Sequence, residues 1–214
     1  MTTSDIQAVR TLTSRRRMHG VFVAVVVVTA ALVAGCGSSA GTRSTPSTSV
    51  AAAPTTGVMT AAPIGRSTPV SFKIASINAS GSLIATGLNS DGSVQVPADY
   101  QQAGWYQSGP APGEQGSAVI LGHVDSYQGA GVFFDLKKVK PRDMIDVTRA
   151  DGKTAHFKVT DVRMYRKTEF PDQTVFGARG GATLQIVTCG GEFDQTAKSY
   201  LSNVVVFSSL DSVT

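Results

Sequence analysis

Ala182-Thr183-Leu184-Gln185-Ile186-Val187, running straight into Thr188-Cys189-Gly190-Gly191, is an apolar stretch of strand length that ends at a cysteine and two glycines. No helical stripe of period 3.6 crosses it, so it reads as a strand. Runs of the same kind recur on both sides. Phe72-Lys73-Ile74-Ala75-Ser76-Ile77 and Asp143-Met144-Ile145-Asp146-Val147-Thr148 alternate, and Ser117-Ala118-Val119-Ile120-Leu121-Gly122 is apolar. Ala155 to Val162 and Asn203-Val204-Val205-Val206-Phe207 add two more. Turn signals separate them at Asp91-Gly92, Pro110-Ala111-Pro112-Gly113, Asp151-Gly152 and Gly180-Gly181. Many short strands at close spacing predict an all-β barrel or sandwich, with at most a helical turn near Val132-Phe133-Phe134-Asp135-Leu136.

The 214 residues leave room for one ordinary domain and a tail, since domains take roughly 100–200 residues each. The formal charge of +4 draws on Arg10, Arg15, Arg16 and Arg17, which precede the fold, so it carries no expectation of a nucleic-acid partner. Those arginines lead into the apolar run Val21 to Ala34, the pattern of an export signal and shorter than the roughly 20 residues that span a bilayer. Val33-Ala34-Gly35-Cys36 is similar to a bacterial lipobox, so residues 1–36 are expected to be a signal peptide with Cys36 lipidated; an uncleaved signal anchor is the alternative. Both place the remainder outside the cytoplasm and tethered to the membrane. Residues 37–69, rich in Ser, Thr, Ala, Pro and Gly, read as a flexible stalk, and residues 70–214 as the folded domain.

With Cys36 used as an anchor, Cys189 has no second cysteine to bond with, although exported proteins usually pair theirs. A thiol at the end of a strand, followed by glycines that leave room for a carbonyl and expose backbone amides, suits a nucleophile. A buried structural cysteine is the plainer alternative. His123 ends the run from Ser117 to Gly122, so two strand ends could bring imidazole and thiol to one rim of the barrel. A neighbouring imidazolium lowers a thiol pKa and holds a proton for a leaving amine. His19 belongs to the signal, and His156 lies within an alternating strand as a surface or edge residue.

Gly122-His123-Val124-Asp125, then Gly131-Val132-Phe133-Phe134-Asp135-Leu136, Arg149-Ala150-Asp151-Gly152, Phe170-Pro171, Thr188-Cys189-Gly190-Gly191-Glu192-Phe193-Asp194, and finally Tyr200 with Asn203-Val204-Val205-Val206 follow one another in an order that resembles class F sortases of actinobacteria, from about Phe72 to Ser208. The resemblance implies a closed barrel of about eight strands and extracytoplasmic Cys/His/Arg catalysis on a Leu-Pro-X-Thr-Gly sorting signal. Cys189 would form a thioester with the carbonyl after the threonine, and His123 would protonate the departing amine. An amine on a wall precursor or another protein would then resolve the thioester. Thr188, Gly190 and Gly191 are the expected substrate contacts, and the chemistry requires no metal or organic cofactor. Sortases carry an arginine after the cysteine, but this chain has none beyond Arg179; Lys198 aligns there and is the expected, inexact replacement. Two other readings compete. An L,D-transpeptidase would carry Ser-His-Gly-Cys where this chain has Ile186-Val187-Thr188-Cys189, and a weak or inactive binding module is motivated by the missing arginine.

Overall fold

The computed structural model describes residues 61–214; the expected signal segment, Cys36 and most of the expected stalk lie outside the described residues. Eight strands close a barrel: β1 (Pro69–Ile74), β2 (Ala79–Thr86), β3 (Ala103–Tyr106), β4 (Gly116–Leu121), β7 (Met144–Arg149), β8 (Thr154–Arg166), β9 (Ala182–Asp194) and β10 (Ser199–Val213). Around the barrel they run β1-β2-β3-β4-β9-β10-β8-β7 and return to β1. A separate two-stranded hairpin, β5 (Asp125–Ser126) with β6 (Gly129–Ala130), follows β4. The all-β class and the closed eight-stranded barrel thus match the expectation, and closure leaves no barrel edge unpaired.

Two neighbouring pairs are parallel, β2 with β3 and β4 with β9, and the rest are antiparallel. Parallel neighbours need long crossovers. The β2–β3 connection supplies one, residues 87–102. Another long connection, residues 167–181 between β8 and β9, carries the helix α1 (Asp172–Phe176). Both connections lie over the outer face of β4, β9 and β10, because residues from each pack into one apolar cluster there.

That covering explains why these strands read as unbroken apolar runs. Along β9, Leu184 and Ile186 enter the barrel interior, where Val204 and Val206 of β10 and Ile120 of β4 join them. Val187 and Cys189 face outward and pack with Val205, Phe207, Val119 and Leu121, covered by Val94 from the first crossover and by Phe170 and Val175 from the second. A strand buried on both faces has no polar side to alternate with. Phe133, Leu136 and Val139 are buried in the interior cluster, and the Phe133 ring lies 5.3 Å from that of Phe72.

Three details depart from expectation. The helical turn falls at Leu136–Lys138, at the far end of the expected stretch Val132 to Leu136, because Phe134 and Leu136 N–H first close separate turns on the Gly131 and Phe133 carbonyls at 3.1 Å. Strands β2 and β3 went unanticipated: Ser80, Gly81 and Ser82 give β2 little strand character of its own, and pairing to β1 and β3 imposes it. Residues 61–68, assigned to the stalk, lie on the barrel: Ile64 N–H donates to the Gly113 carbonyl at 2.8 Å, and Arg66 bonds the Gln107 and Gly109 carbonyls and Glu114 while stacking 5.2 Å from the Trp105 ring.

Candidate active site

Cys189 lies inside a strand, not at its end. β9 continues to Asp194, and the register with β10 shifts between Tyr200 and Ser202, opposite the two glycines. Gly191 has a φ of +81°, a conformation that a side chain disfavours. At Gly190 a Cβ would stand 2.7 Å from Val204 Cγ2. The glycine pair therefore lets a kinked strand keep pairing past the thiol, instead of opening the flexible loop expected from the sequence. Cys189 retains 4 % exposure.

Carried two residues past β4, the register brings the expected pair level with each other. Leu121 of β4 is level with Val187 of β9, so two residues further on His123 comes level with Cys189 on neighbouring chain segments. Strand spacing is about 4.8 Å. Two bonds extend the alignment beyond β4: Gly122 N–H donates to the Val187 carbonyl at 3.3 Å, and Thr188 Oγ1 donates to the Gly122 carbonyl at 2.8 Å. Thr188, expected to touch substrate, instead alternates to the face opposite Cys189 and braces the histidine segment.

His123 is fixed by its surroundings. Its Nε2 lies 2.8 Å from the Pro97 carbonyl, which can only accept, so Nε2 carries the hydrogen and Nδ1 is the nitrogen left to exchange a proton. Its backbone carbonyl accepts from Phe133 N–H, and Gly131 approaches so closely that a Cβ there would stand 2.5 Å from that carbonyl oxygen. The glycine in Gly131-Val132-Phe133 is thus a packing requirement of the histidine.

Across the thiol from this segment, Tyr200 donates its hydroxyl to Asp125 Oδ2 at 2.5 Å, and its ring packs on Phe193 at 5.1 Å. The Asp125 hydrogen bond, then burial and the negative charges of Asp125 and Cys189, push the Tyr200 phenol up to about 12. Tyr200 therefore stays protonated and remains a donor at any working pH. The bond ties the β9–β10 hairpin to the segment holding His123, and neither residue was singled out as functional from the sequence beyond its place in a motif.

Lys198 is not brought to the thiol. It is exposed at the turn before β10, with φ +53°, after a turn in which Asp194 Oδ1 accepts from Thr196 and Ala197 N–H at 2.8 and 3.0 Å. Cys189 pairs with Asn203, five residues further along β10, each residue advancing about 3.3 Å. Arg149, Arg163 and Arg166 are committed elsewhere or turned away. Arg149 is buried against Asp151 and the Gly65 and Pro112 carbonyls, Arg163 binds Asp161, and Arg166 alternates to the face of β8 opposite Tyr165. Among the described residues no cluster of His, Cys, Asp and Glu could hold a metal ion.

The family model described as the sortase domain matches residues 72–211. Among solved structures, the chain is similar to a lid mutant of sortase A from Corynebacterium diphtheriae, at 20% identity over 69% of this chain and 72% of that one with a TM-score of 0.52. It is also similar to sortase A from Listeria monocytogenes, at 17% identity over 70% and 90% with a TM-score of 0.52. Sortase C1 from Streptococcus agalactiae, solved in complex with MTSET, gives 17% identity over 66% and 67% with a TM-score of 0.51. At these identities the structural likeness speaks for the fold. No curated protein sequence matches the chain.

Proposed function

The chain belongs to the sortase family, whose members are cysteine transpeptidases, and from that premise we propose that it is an active transpeptidase of the class F kind, cleaving a Leu-Pro-X-Thr-Gly-like signal at Cys189. The observation that carries the proposal is the level placement of His123 and Cys189 on neighbouring segments, on a face roofed by two crossovers. His123 Nδ1 takes the thiol proton, and the sulfur bonds to the carbonyl carbon of the threonine. The C–N bond breaks, and the departing amine takes the proton from His123. An incoming amine reverses the sequence: it loses a proton to His123, its nitrogen bonds to the thioester carbon, and the sulfur leaves.

The order of motifs supports the class F assignment, and the lipobox-like Val33-Ala34-Gly35-Cys36 supports an extracytoplasmic protein tethered through its N-terminus, with exported proteins as donors and an amine of a wall precursor or protein as acceptor. Gly190 and Gly191 adjoin the thiol along β9, which supports them as contacts of the extended signal. The alternative of an inactive binding module draws on one observation, the placement of Lys198 away from the thiol.

Incubating the full chain with a fluorogenic Leu-Pro-X-Thr-Gly peptide and a glycine amine separates the two. The proposal predicts cleavage and a transpeptidation product with the parent and neither with Cys189→Ala, whose melting temperature should match the parent's. A Cys189→Ala protein that turns over at the parent's rate would show the assignment to be wrong, and a parent that binds the peptide without cleaving it would favour the binding module.

A further inference from the structure

Asn203 is fully buried, and neither its Nδ2 nor its Oδ1 has a hydrogen-bond partner; among the described residues no other side chain is orphaned at both polar atoms. Buried polar groups are nearly always satisfied, and an exception in a folded protein calls for an explanation. Its position supplies one. Asn203 is the direct cross-strand partner of Cys189, and it shares the outer face of β10 with Val205 and Phe207, which pack in the same cluster as Cys189. Opposite side chains on paired antiparallel strands have Cβ atoms about 4.5–5.5 Å apart. On its other side Asn203 pairs with Tyr165 of β8. One row across the barrel wall therefore reads Tyr165, Asn203, Cys189, and the β4–β9 register carried two residues past Leu121 brings His123 level with its end.

We propose that Asn203 is a catalytic residue that holds the acyl residue of the substrate, its Nδ2 donating to the oxyanion formed at the scissile carbonyl and its Oδ1 accepting the backbone N–H of that same residue. This rests on the transpeptidase reading above. In an extended peptide the N–H and C=O of one residue point the same way, so a single carboxamide can engage both. When Cys189 sulfur bonds to the carbonyl carbon, the carbonyl π electrons move to oxygen, and an N–H already aimed there stabilises the charge without reorganisation. The oxyanion exists only during the reaction, so a donor reserved for it has no partner within the fold itself. A neutral donor in the row beside the thiol also fits a site to which the register does not bring Lys198. Asn203 is sealed from water, so the substrate reaches it from the Cys189 side.

The test compares the parent, Asn203→Leu and Asn203→Ala as full chains in three measurements: cleavage of the Leu-Pro-X-Thr-Gly peptide, the melting temperature, and alkylation of Cys189 by iodoacetamide. Alkylation displaces iodide at a saturated carbon and forms no oxyanion, so it reports the thiol independently of Asn203. The expected result is a kcat lower by about 10²–10³ in both variants. Alkylation should proceed at the parent's rate, and the leucine variant should melt at or above the parent, since it removes an orphaned polar group of similar volume. Variants that cleave as fast as the parent would overturn the proposal while leaving the transpeptidase reading standing. Lower melting temperatures in both variants would make Asn203 a structural residue and overturn it as well. A parent that cleaves no peptide would overturn the underlying reading, and this proposal with it.

Discussion

At the scale of single residues, Lys198 and Cys189 show how far identity and position can part. Lys198 is the only cation between Cys189 and the start of β10, which is why the sequence points to it as the stand-in for an arginine. The backbone uses it differently, because a φ of +53° is the left-handed conformation that closes a tight turn, where a non-glycine residue costs roughly 1–2 kcal/mol. Lys198→Ala is therefore expected to cleave peptide at close to the parent's rate, and Lys198→Gly to unfold at a higher denaturant concentration by relieving the turn. A fall in kcat of tenfold or more for Lys198→Ala would instead return the lysine to the chemistry. Cys189 and His123 were legible because each stands at the end of an apolar run beside glycine. Asn203 was not, since an asparagine opening the run Val204-Val205-Val206 looks like an ordinary strand start, and only the register reveals that it faces the thiol.

Among the elements, the decisive ones are the strands buried on both faces and the connections that bury them. The sequence made β4, β9 and β10 readable as strands, but a run apolar throughout cannot say which side chains enter the barrel, and that choice decides whether the thiol meets a site or the core. Small polar residues hid β2, and the two crossovers carry no periodic signal at all. The Tyr200–Asp125 bond then joins two elements across the thiol. Tyr200→Phe removes a donor to a carboxylate, and such bonds contribute about 1.5–3 kcal/mol when shielded and less where water reaches them. Thermal unfolding should show a lower melting temperature for Tyr200→Phe at neutral pH. The phenol is raised from its ordinary 10 to about 12 in the folded protein, so folding favours its protonated form. Its stabilising effect is complete below pH 10 and is lost as the pH rises towards 12, so the stability difference between parent and Tyr200→Phe should close across that window. A difference that stays constant from pH 9 to pH 12 would contradict the assignment.

For the molecule as a whole, the barrel and the strap before it are joined by Arg149. This guanidinium is buried, pairs with Asp151 at 2.9 Å and 3.2 Å, and donates to the Gly65 and Pro112 carbonyls, tying residues 61–68 and the 110–113 turn to β7. Asp151 is exposed, so removing Arg149 strands no buried charge; the loss is the donor to the Pro112 and Gly65 carbonyls, about 1–3 kcal/mol for each that stays shielded from water. Arg149→Met should lower the unfolding midpoint by a corresponding amount while the folded variant keeps its peptide cleavage, because Arg149 lies away from the thiol. Retained stability would mean that the strap is not part of the folded unit. The sequence placed this strap in the stalk because its composition is polar and small; two arginines and one isoleucine, each meeting a partner far along the chain, dock it. The central claim is that Cys189 carries the acyl group between donor and acceptor. Intact mass measurement of the full chain incubated with a Leu-Pro-X-Thr-Gly peptide and no added amine tests it most directly. The account predicts a species heavier by the acyl fragment, mapped to the peptide containing Cys189, absent in Cys189→Ala and discharged when a glycine amine is added. Cleavage of the peptide by the parent with no such adduct, while Cys189→Ala cleaves equally well, would contradict it.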